Sequence, residues 1–184
     1  MDEVRFHGRA GQGILTASRV FAEAAIFDGK YAQSFPDFGP ERLGAPIAAF
    51  TRIDSQPIEI RSQVYTPNAV AVFEDSLLTK VPVTNGLVTN GKLVVNWTEE
   101  NTEELKKIGE KAGASTLYLN ANRIAMELIG SLTVSTIMLG ALAQASGFVS
   151  IDSLEKIVRD KFQGSMGETN AKMVRMGFKE VRQL

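Results

Sequence analysis

The sequence predicts an α/β fold: a three-layer α/β/α sandwich with a mixed, largely parallel central sheet. Three observations carry this. A short apolar run (Val4, Phe6) stops at Gly8, three glycines fall within six residues (Gly8, Gly11, Gly13), and a helical pattern begins at once at Ile14. Further on, Ala69-Val-Ala-Val-Phe73 is a continuous apolar run of the kind found in strands covered on both faces. Strand-like and helix-like segments alternate through the first and middle parts, the pattern of a layered α/β domain.

The elements follow in order. Ile14, Leu15, Ala17, Ser18, Phe21, Ala22 and Ala25 define the first helix, and Asp28-Gly29 reads as its stop. Tyr31 to Phe35 reads as a short strand. Residues 36–46 are a loop with three prolines and two glycines, and Ile47 to Ile53 reads as the next strand. Asp54 to Pro57 has the look of a hairpin turn into Ile58–Arg61. Asn85-Gly86 and Asn90-Gly91 are turn signals flanking Leu87-Val88 and Leu93–Val95, a second expected hairpin. These hairpins at 47–61 and 86–95 are the reason to expect a mixed sheet. Glu99 to Lys111 is a charged, solvent-facing helix, and Ser115 to Leu119 a strand. Asn120 caps a helix to about Leu128. A helix over 136–146 ends at Gly147, Asp152-Ser-Leu-Glu155 has the form of a capping box, and residues 168–178 make a last short helix. No repeat, linker or low-complexity tract divides the chain, so residues 1–184 are expected to form a single domain.

Composition narrows the function classes. The 184 residues are 44% hydrophobic and 22% charged, near the globular average. The net charge of −1 gives no broad attraction to nucleic acid or to anionic membrane. No apolar run reaches the length of a membrane span and the first residues do not have the form of a signal peptide, so a soluble cytoplasmic protein is expected. The absence of cysteine excludes disulfides, a thiol nucleophile, zinc–thiolate sites and cysteine-ligated iron–sulfur clusters in this chain. His7 is the one histidine; a multi-histidine metal site is impossible, and a Ser-His-Asp triad could run only through it. Any electron carriers must therefore sit on a partner.

Two stretches are candidates for a site. The turn at 8–13 has the order G-x-x-G-x-G, the reverse of the dinucleotide fingerprint, and there is no phosphate-binding loop of the G-x-x-x-x-G-K-[ST] type. A strand, a glycine turn and a helix start nevertheless present backbone N–H groups to an anion, with Arg9 and Gln12 flanking; Gly8, Arg9, Gly11, Gln12 and Gly13 are the candidate ligand-binding residues. The alternative is that the glycines only permit positive φ and close packing. The second stretch is the 36–46 loop, with Glu41 and Arg42 in its middle: a binding surface or an ordinary surface ion pair. At the end of its strand, His7 is expected to satisfy a ring nitrogen on the backbone.

Together, His7-Gly-Arg-Ala-Gly-Gln-Gly13 and Phe38-Gly-Pro-Glu-Arg-Leu-Gly-Ala-Pro46 resemble the gamma subunit of 2-oxoacid:ferredoxin oxidoreductases, most closely the pyruvate enzymes. The family's usual forms are HGRGGQG and FGPERRGAPV, the second followed by a strand ending in Thr-Arg, as Ile47-Ala-Ala-Phe-Thr-Arg52 does here. Met138-Leu-Gly-Ala-Leu142 and Asn170 also match, so the resemblance spans nearly the whole chain. Ala10 and Leu43 stand where the family usually has Gly and Arg, and Ser135-Thr136 where it often has Asn.

The resemblance implies a subunit with no catalytic residue of its own and no cofactor held alone. Thiamine diphosphate, magnesium and iron–sulfur clusters would sit in alpha-, beta- and delta-type partners. Coenzyme A would accept the acyl group, and ferredoxin or flavodoxin the electrons. The loop residues Gly39, Pro40, Glu41 and Arg42 would line an inter-subunit, active-site surface, and the 8–13 turn could hold a coenzyme A phosphate. Pyruvate is the expected substrate, with 2-oxoisovalerate next. The competing readings are a free-standing nucleotide- or anion-binding module and a purely structural scaffold of the same complex.

Overall fold

The computed structural model describes residues 1–37 and 43–184. Among these residues seven strands form one sheet in the order β2-β3-β1-β4-β5-β6-β7, with β1 at Asp2–Arg9, β2 at Tyr31–Pro36, β3 at Pro46–Asp54, β4 at Ala69–Val72, β5 at Lys92–Asn96, β6 at Ser115–Leu119 and β7 at Arg182–Gln183. The pairs β1–β4, β4–β5 and β5–β6 are parallel. β3 runs antiparallel to both β1 and β2, and β7 is antiparallel to β6. Strands β1, β2, β4, β5 and β6 thus share one direction, and the sheet is mixed and largely parallel.

Side-chain alternation places the helices. Val4 and Phe6 of β1, Ala69, Ala71 and Phe73 from β4 onward, and Val94 of β5 point to one face. There they meet α1 (Ile14–Phe27), α4 (Ala121–Ile129), α5 (Ser135–Ser146), α6 (Ile151–Phe162) and α7 (Gly164–Glu180). Phe6 packs edge-on to Phe21 of α1 with ring centroids 6.0 Å apart. The intervening residues Val70, Val72, Leu93 and Val95 point to the other face, against Leu77 of the short α2 (Leu77–Lys80), Leu105 of α3 (Glu103–Ala112), Val83 and Trp97. Two faces covered by helices make three layers.

Neither expected hairpin forms, for one reason: one strand of each already has both edges taken. β3 lies between β1 and β2, so Ile58–Arg61 finds no edge and crosses the sheet without becoming a strand. Side chains hold it there: Gln33 Nε2 donates to Ile58 O at 2.7 Å, and the Arg52 guanidinium donates to the carbonyls of Ile60, Ser62 and Gln63. Arg52, only 1% exposed, also pairs with Glu3 at 2.7 Å and lies 5.1 Å from the centre of the Phe35 ring. β5 lies likewise between β4 and β6, and Leu87-Val88 joins two turns without becoming a strand.

Further differences are local. Ser150, not Asp152, caps α6: its hydroxyl accepts from Ser153 N, while Asp28 accepts from the backbone N–H and hydroxyl of Ser150. Desolvation would raise the Asp28 carboxyl, but bonds from the Ser153 hydroxyl and from Ser150 hold it below its usual range. The last helix is not short; it runs 17 residues from Gly164, because Gln163 at φ 42° turns the chain directly out of α6. It crosses α5 at backbone contact, where a Cβ on Gly140 would lie 1.9 Å from Val174 O and one on Gly177 1.9 Å from Ile137 O.

Candidate functional site

Register brings the two sequence motifs together. β1 ends at Arg9, paired with Pro46 at the start of β3, and β2 ends at Pro36 on the same edge of the sheet. This is the carboxyl edge of the parallel strands, at the point where connections leave β1 toward β2 and β3 on one side while β4 lies on the other. Open α/β sheets bind ligands at such a point.

The glycine turn is built by both of its proposed devices. Gly8 allows close approach: a Cβ there would sit 2.2 Å from Ile14 Cδ1 and 3.1 Å from Gln12 Oε1. Gly13 caps α1 at φ 76°, in the left-handed region. Ala10, where the family has Gly, is not among the residues with positive φ, so alanine costs nothing there.

The flanking side chains face inward. Arg9 Nε donates to Glu74 Oε1 at 2.6 Å, Nη1 to Gly44 O at 3.0 Å and Nη2 to Ser76 Oγ at 3.0 Å. Gln12 Nε2 donates to Glu74 Oε2 at 2.8 Å, and Gln12 Oε1 accepts from Arg9 N at 2.8 Å. Desolvation would raise the Glu74 carboxyl, but the bonds from Ser76, Arg9 and Gln12 win and hold it below its ordinary value. The backbone adds two bonds between the motifs, Ala10 N to Ala45 O at 2.9 Å and Gly44 N to Ala10 O at 3.2 Å. Leu43, 91% exposed, lies against Gly11. The structure therefore unites Gly8, Arg9, Gly11, Gln12 and Gly13 with the exit of the second loop. Gly39, Pro40, Glu41 and Arg42 lie outside the described residues.

Sequence reasoning missed Glu74 and Ser76. The one available signal was an acidic and hydroxyl pair directly after an apolar strand, Phe73-Glu-Asp-Ser76, at the edge where sites form. It also missed Asn96, whose amide donates to Phe73 O and Asn122 Oδ1 and accepts from Ala121 N, tying β4, β5 and α4 together.

His7 turns out to be buried, 7% exposed, with no hydrogen-bond partner on Nε2. Of the two ring nitrogens that could have bonded to the backbone, Nε2 does not. Burial, and then the charge of Arg5, push its pKa down to about 3, so the ring is neutral at pH 7.

On the helical side of the turn lies a cavity of about 480 Å³, bordered by Gly13, Thr16, Ser135, Ser165, Thr169 and Asn170 over a floor that includes Ile129, Phe162, Met166 and Met173. Helices α1, α5 and α7 all begin beside it, each without a side-chain cap. Asn170 is fixed there by accepting from Thr136 Oγ1 at 3.1 Å and donating to Met166 O at 2.9 Å. No cluster of three metal-binding side chains occurs among the described residues, and no helix among them is long and apolar enough to cross a membrane.

Known proteins of similar sequence and structure match over the whole length. The pyruvate/ketoisovalerate oxidoreductases common subunit gamma of Thermococcus litoralis is 47% identical over 180 residues, covering 98% of this chain and 97% of the relative. Pyruvate synthase subunit PorC of Methanothermobacter thermautotrophicus is 46% identical over 186 residues, covering 100% and 98%. The crystal structure of pyruvate oxidoreductase subunit PORC from Thermotoga maritima superposes with a TM-score of 0.85 at 34% identity, covering 99% of this chain and 97% of that one. Residues 3–180 match the family described as pyruvate ferredoxin/flavodoxin oxidoreductase, and the chain belongs to that family.

Proposed function

We propose that this chain, acting as a single domain, is the gamma subunit of a cytoplasmic pyruvate/2-oxoacid:ferredoxin oxidoreductase. The assembly converts a 2-oxoacid, coenzyme A and oxidised ferredoxin or flavodoxin to acyl-CoA, carbon dioxide and the reduced acceptor. The observation that carries this reading is the full-length likeness to gamma-type subunits, with both sequence motifs present. Pyruvate is the first substrate and 2-oxoisovalerate the second; the relatives' names include both acids.

The division of labour is what the family likeness implies, and the absence of cysteine agrees with it. Without cysteine it offers no thiolate to an iron–sulfur cluster, and its described residues offer no metal-binding cluster. Thiamine diphosphate, magnesium and clusters belong to alpha-, beta- and delta-type partners, and the isolated chain is inactive. Gly39, Pro40, Glu41 and Arg42 form the surface it contributes to the shared active site, where Glu41 and Arg42 position partner residues or a substrate carboxylate or phosphate. The glycine turn at 8–13, at its Gly13 end where α1 begins, holds a phosphate of coenzyme A. In support, Gly13 borders a cavity that has no charged lining residue among the described residues, and three helices begin beside it. Arg9 and Gln12 are spent on Glu74, which favours a bracing role for these two side chains, as the scaffold reading requires of them.

The test is anaerobic affinity purification of the tagged chain from its host, followed by 2-oxoacid- and coenzyme-A-dependent reduction of a viologen dye. Co-purification of cluster-bearing and thiamine-binding chains with activity supports the reading. A partnerless monomer without activity refutes it. In the purified assembly, Glu41→Ala and Arg42→Ala are expected to lower turnover; full activity in both refutes the role of that loop.

A further inference from the structure

We infer that the free edge of β2 is a self-pairing surface: a second copy of this chain docks there, antiparallel, and joins the two sheets into one. The inference goes beyond the reaction proposed above and does not depend on it. β2 stands at one end of the strand order, with β3 on its inner side. Asp37 N donates to Ala48 O in the same register. The hydrogen-bonded pairs of this ladder are therefore those of Tyr31, Gln33 and Phe35, and the backbone groups of Ala32 and Ser34 point outward. Among the described residues these outward groups have no backbone partner. Sheets blunt such an edge with charge, above all with lysine. Tyr31-Ala-Gln-Ser-Phe-Pro36 carries no charge, and the neighbouring Lys30 ammonium is tied back to Phe148 O at 2.7 Å.

The edge is complementary to itself, as a two-fold contact requires. It carries a knob, Tyr31, which is 50% exposed at the start of β2. It also carries a hole, a depression of about 380 Å³ lined by Gln33, Ser34, Phe35, Ile60 and Arg61. Tyr31, Gln33 and Phe35 share one face of the strand: Gln33 reaches Ile58 O on that side, while the Ser34 hydroxyl meets Ser18 of α1 on the other.

A two-fold axis between the Gln33 residues of two copies sets Ala32 of each against Ser34 of the other. Each of these pairs exchanges both of its backbone hydrogen bonds. Setting Ala32 against Pro36 instead leaves the Ala32 carbonyl empty, because proline has no N–H. In the first register Tyr31 lies directly opposite Phe35 of the second copy, in a pair not bonded through the backbone, where side chains approach most closely. Its ring enters the depression beside Phe35 and Ile60. The charges agree: β2 brings no repulsion, and exposed Arg61 offers its guanidinium to the face of the incoming ring.

The chain has no cysteine of its own, so a single introduced one reports the register. Gln33→Cys puts one sulfur on each side of the axis, in a facing pair with Cα atoms about 4.5 Å apart, within disulfide reach. Tyr31→Cys puts its two sulfurs about 14 Å apart along the strands, out of reach. The experiment is sedimentation velocity of the full natural chain, Tyr31→Lys and Ile60→Glu over a concentration series, with a melting temperature for each. Non-reducing electrophoresis of the two cysteine variants follows mild oxidation. We expect the natural chain to sediment at twice the 20.0 kDa of one chain. Tyr31→Lys and Ile60→Glu, on the knob and on the wall of the hole, should melt normally and raise the dimer Kd about thirtyfold, the loss of an aromatic anchor. Gln33→Cys should cross-link and Tyr31→Cys should not. A natural chain that stays monomeric overturns the inference. So does a dimer that neither charged variant weakens or that Gln33→Cys does not trap, since its contact then lies elsewhere. A chain that is monomeric alone, and whose Gln33→Cys thiol is alkylated freely by itself but shielded in the purified assembly, assigns the edge to a partner subunit and likewise overturns self-pairing.

Discussion

His7 should make this protein lose stability in mildly acidic solution, above the range where carboxylates act. Its side chain leaves β1 on the sheet face shared with Arg5, between the register neighbours Ala48 and Val72, and Nε2 has no partner. Charging the ring there means protonating it in a desolvated place beside a guanidinium, which holds its pKa near 3 instead of 6.5. In the unfolded chain it titrates at the ordinary value. Between those values the unfolded state binds a proton that the folded state refuses, so acid pulls the equilibrium toward unfolding. From pH 7.5 to 5.5 an unperturbed histidine passes from mostly neutral to mostly protonated, and linkage makes this worth about 1.4 kcal/mol of lost stability. The Asp28 and Glu74 carboxyls are both lowered and contribute their losses at more acid pH. The assay is urea unfolding of the full chain at pH 7.5 and 5.5, for the natural protein and His7→Leu. Leucine fills similar space, does not titrate and removes the orphaned nitrogen. The natural chain should lose about 1.4 kcal/mol more than the variant between the two pH values. Equal losses, or a folded-state His7 ring resonance titrating near pH 6.5, would refute the reasoning.

Two further substitutions test the packing that carries the site. Gly140→Ala forces a methyl group into the Val174 carbonyl at the α5–α7 crossing; backbone cannot yield as a side chain does, so a loss of about 3 kcal/mol is expected in urea unfolding. Arg52→Met strands the Glu3 carboxylate and frees the carbonyls of Ile60, Ser62 and Gln63. The expected cost is about 3–5 kcal/mol, with Arg52→Lys recovering only part, since one ammonium cannot serve an oxygen on β1 and three on the crossing segment. Limited proteolysis should find 58–63 newly cleavable in both Arg52 variants.

Much of this was written locally. The apolar run at Val4 and Phe6, the glycines at 8, 11 and 13 and the helical pattern from Ile14 determine β1, the turn and α1, because a strand period, φ restrictions and a helix period are properties of adjacent residues. Ala69–Phe73 announces a strand covered on both faces by the same logic. The two motifs likewise mark the family from sequence alone, and Gly8 and Gly13 do what glycine chemistry predicts of them.

Only the tertiary structure decided which strand edges were free. The expected hairpins rested on turn chemistry at Asp54–Pro57 and Asn90-Gly91, but a turn supplies a reversal and not a vacant edge. β3 is inserted between β1, some forty residues earlier, and β2, so the sheet is mixed through long-range pairing. The same non-locality hid Glu74, whose partners Arg9 and Gln12 lie 65 and 62 residues away, and left His7 Nε2 without a partner. Hydrogen bonds between side chains obey spatial geometry, and sequence spacing encodes that geometry only within a turn of helix or along a strand. Fold class and family were therefore fixed by neighbours along the chain; the bracing of the site was fixed by neighbours across it.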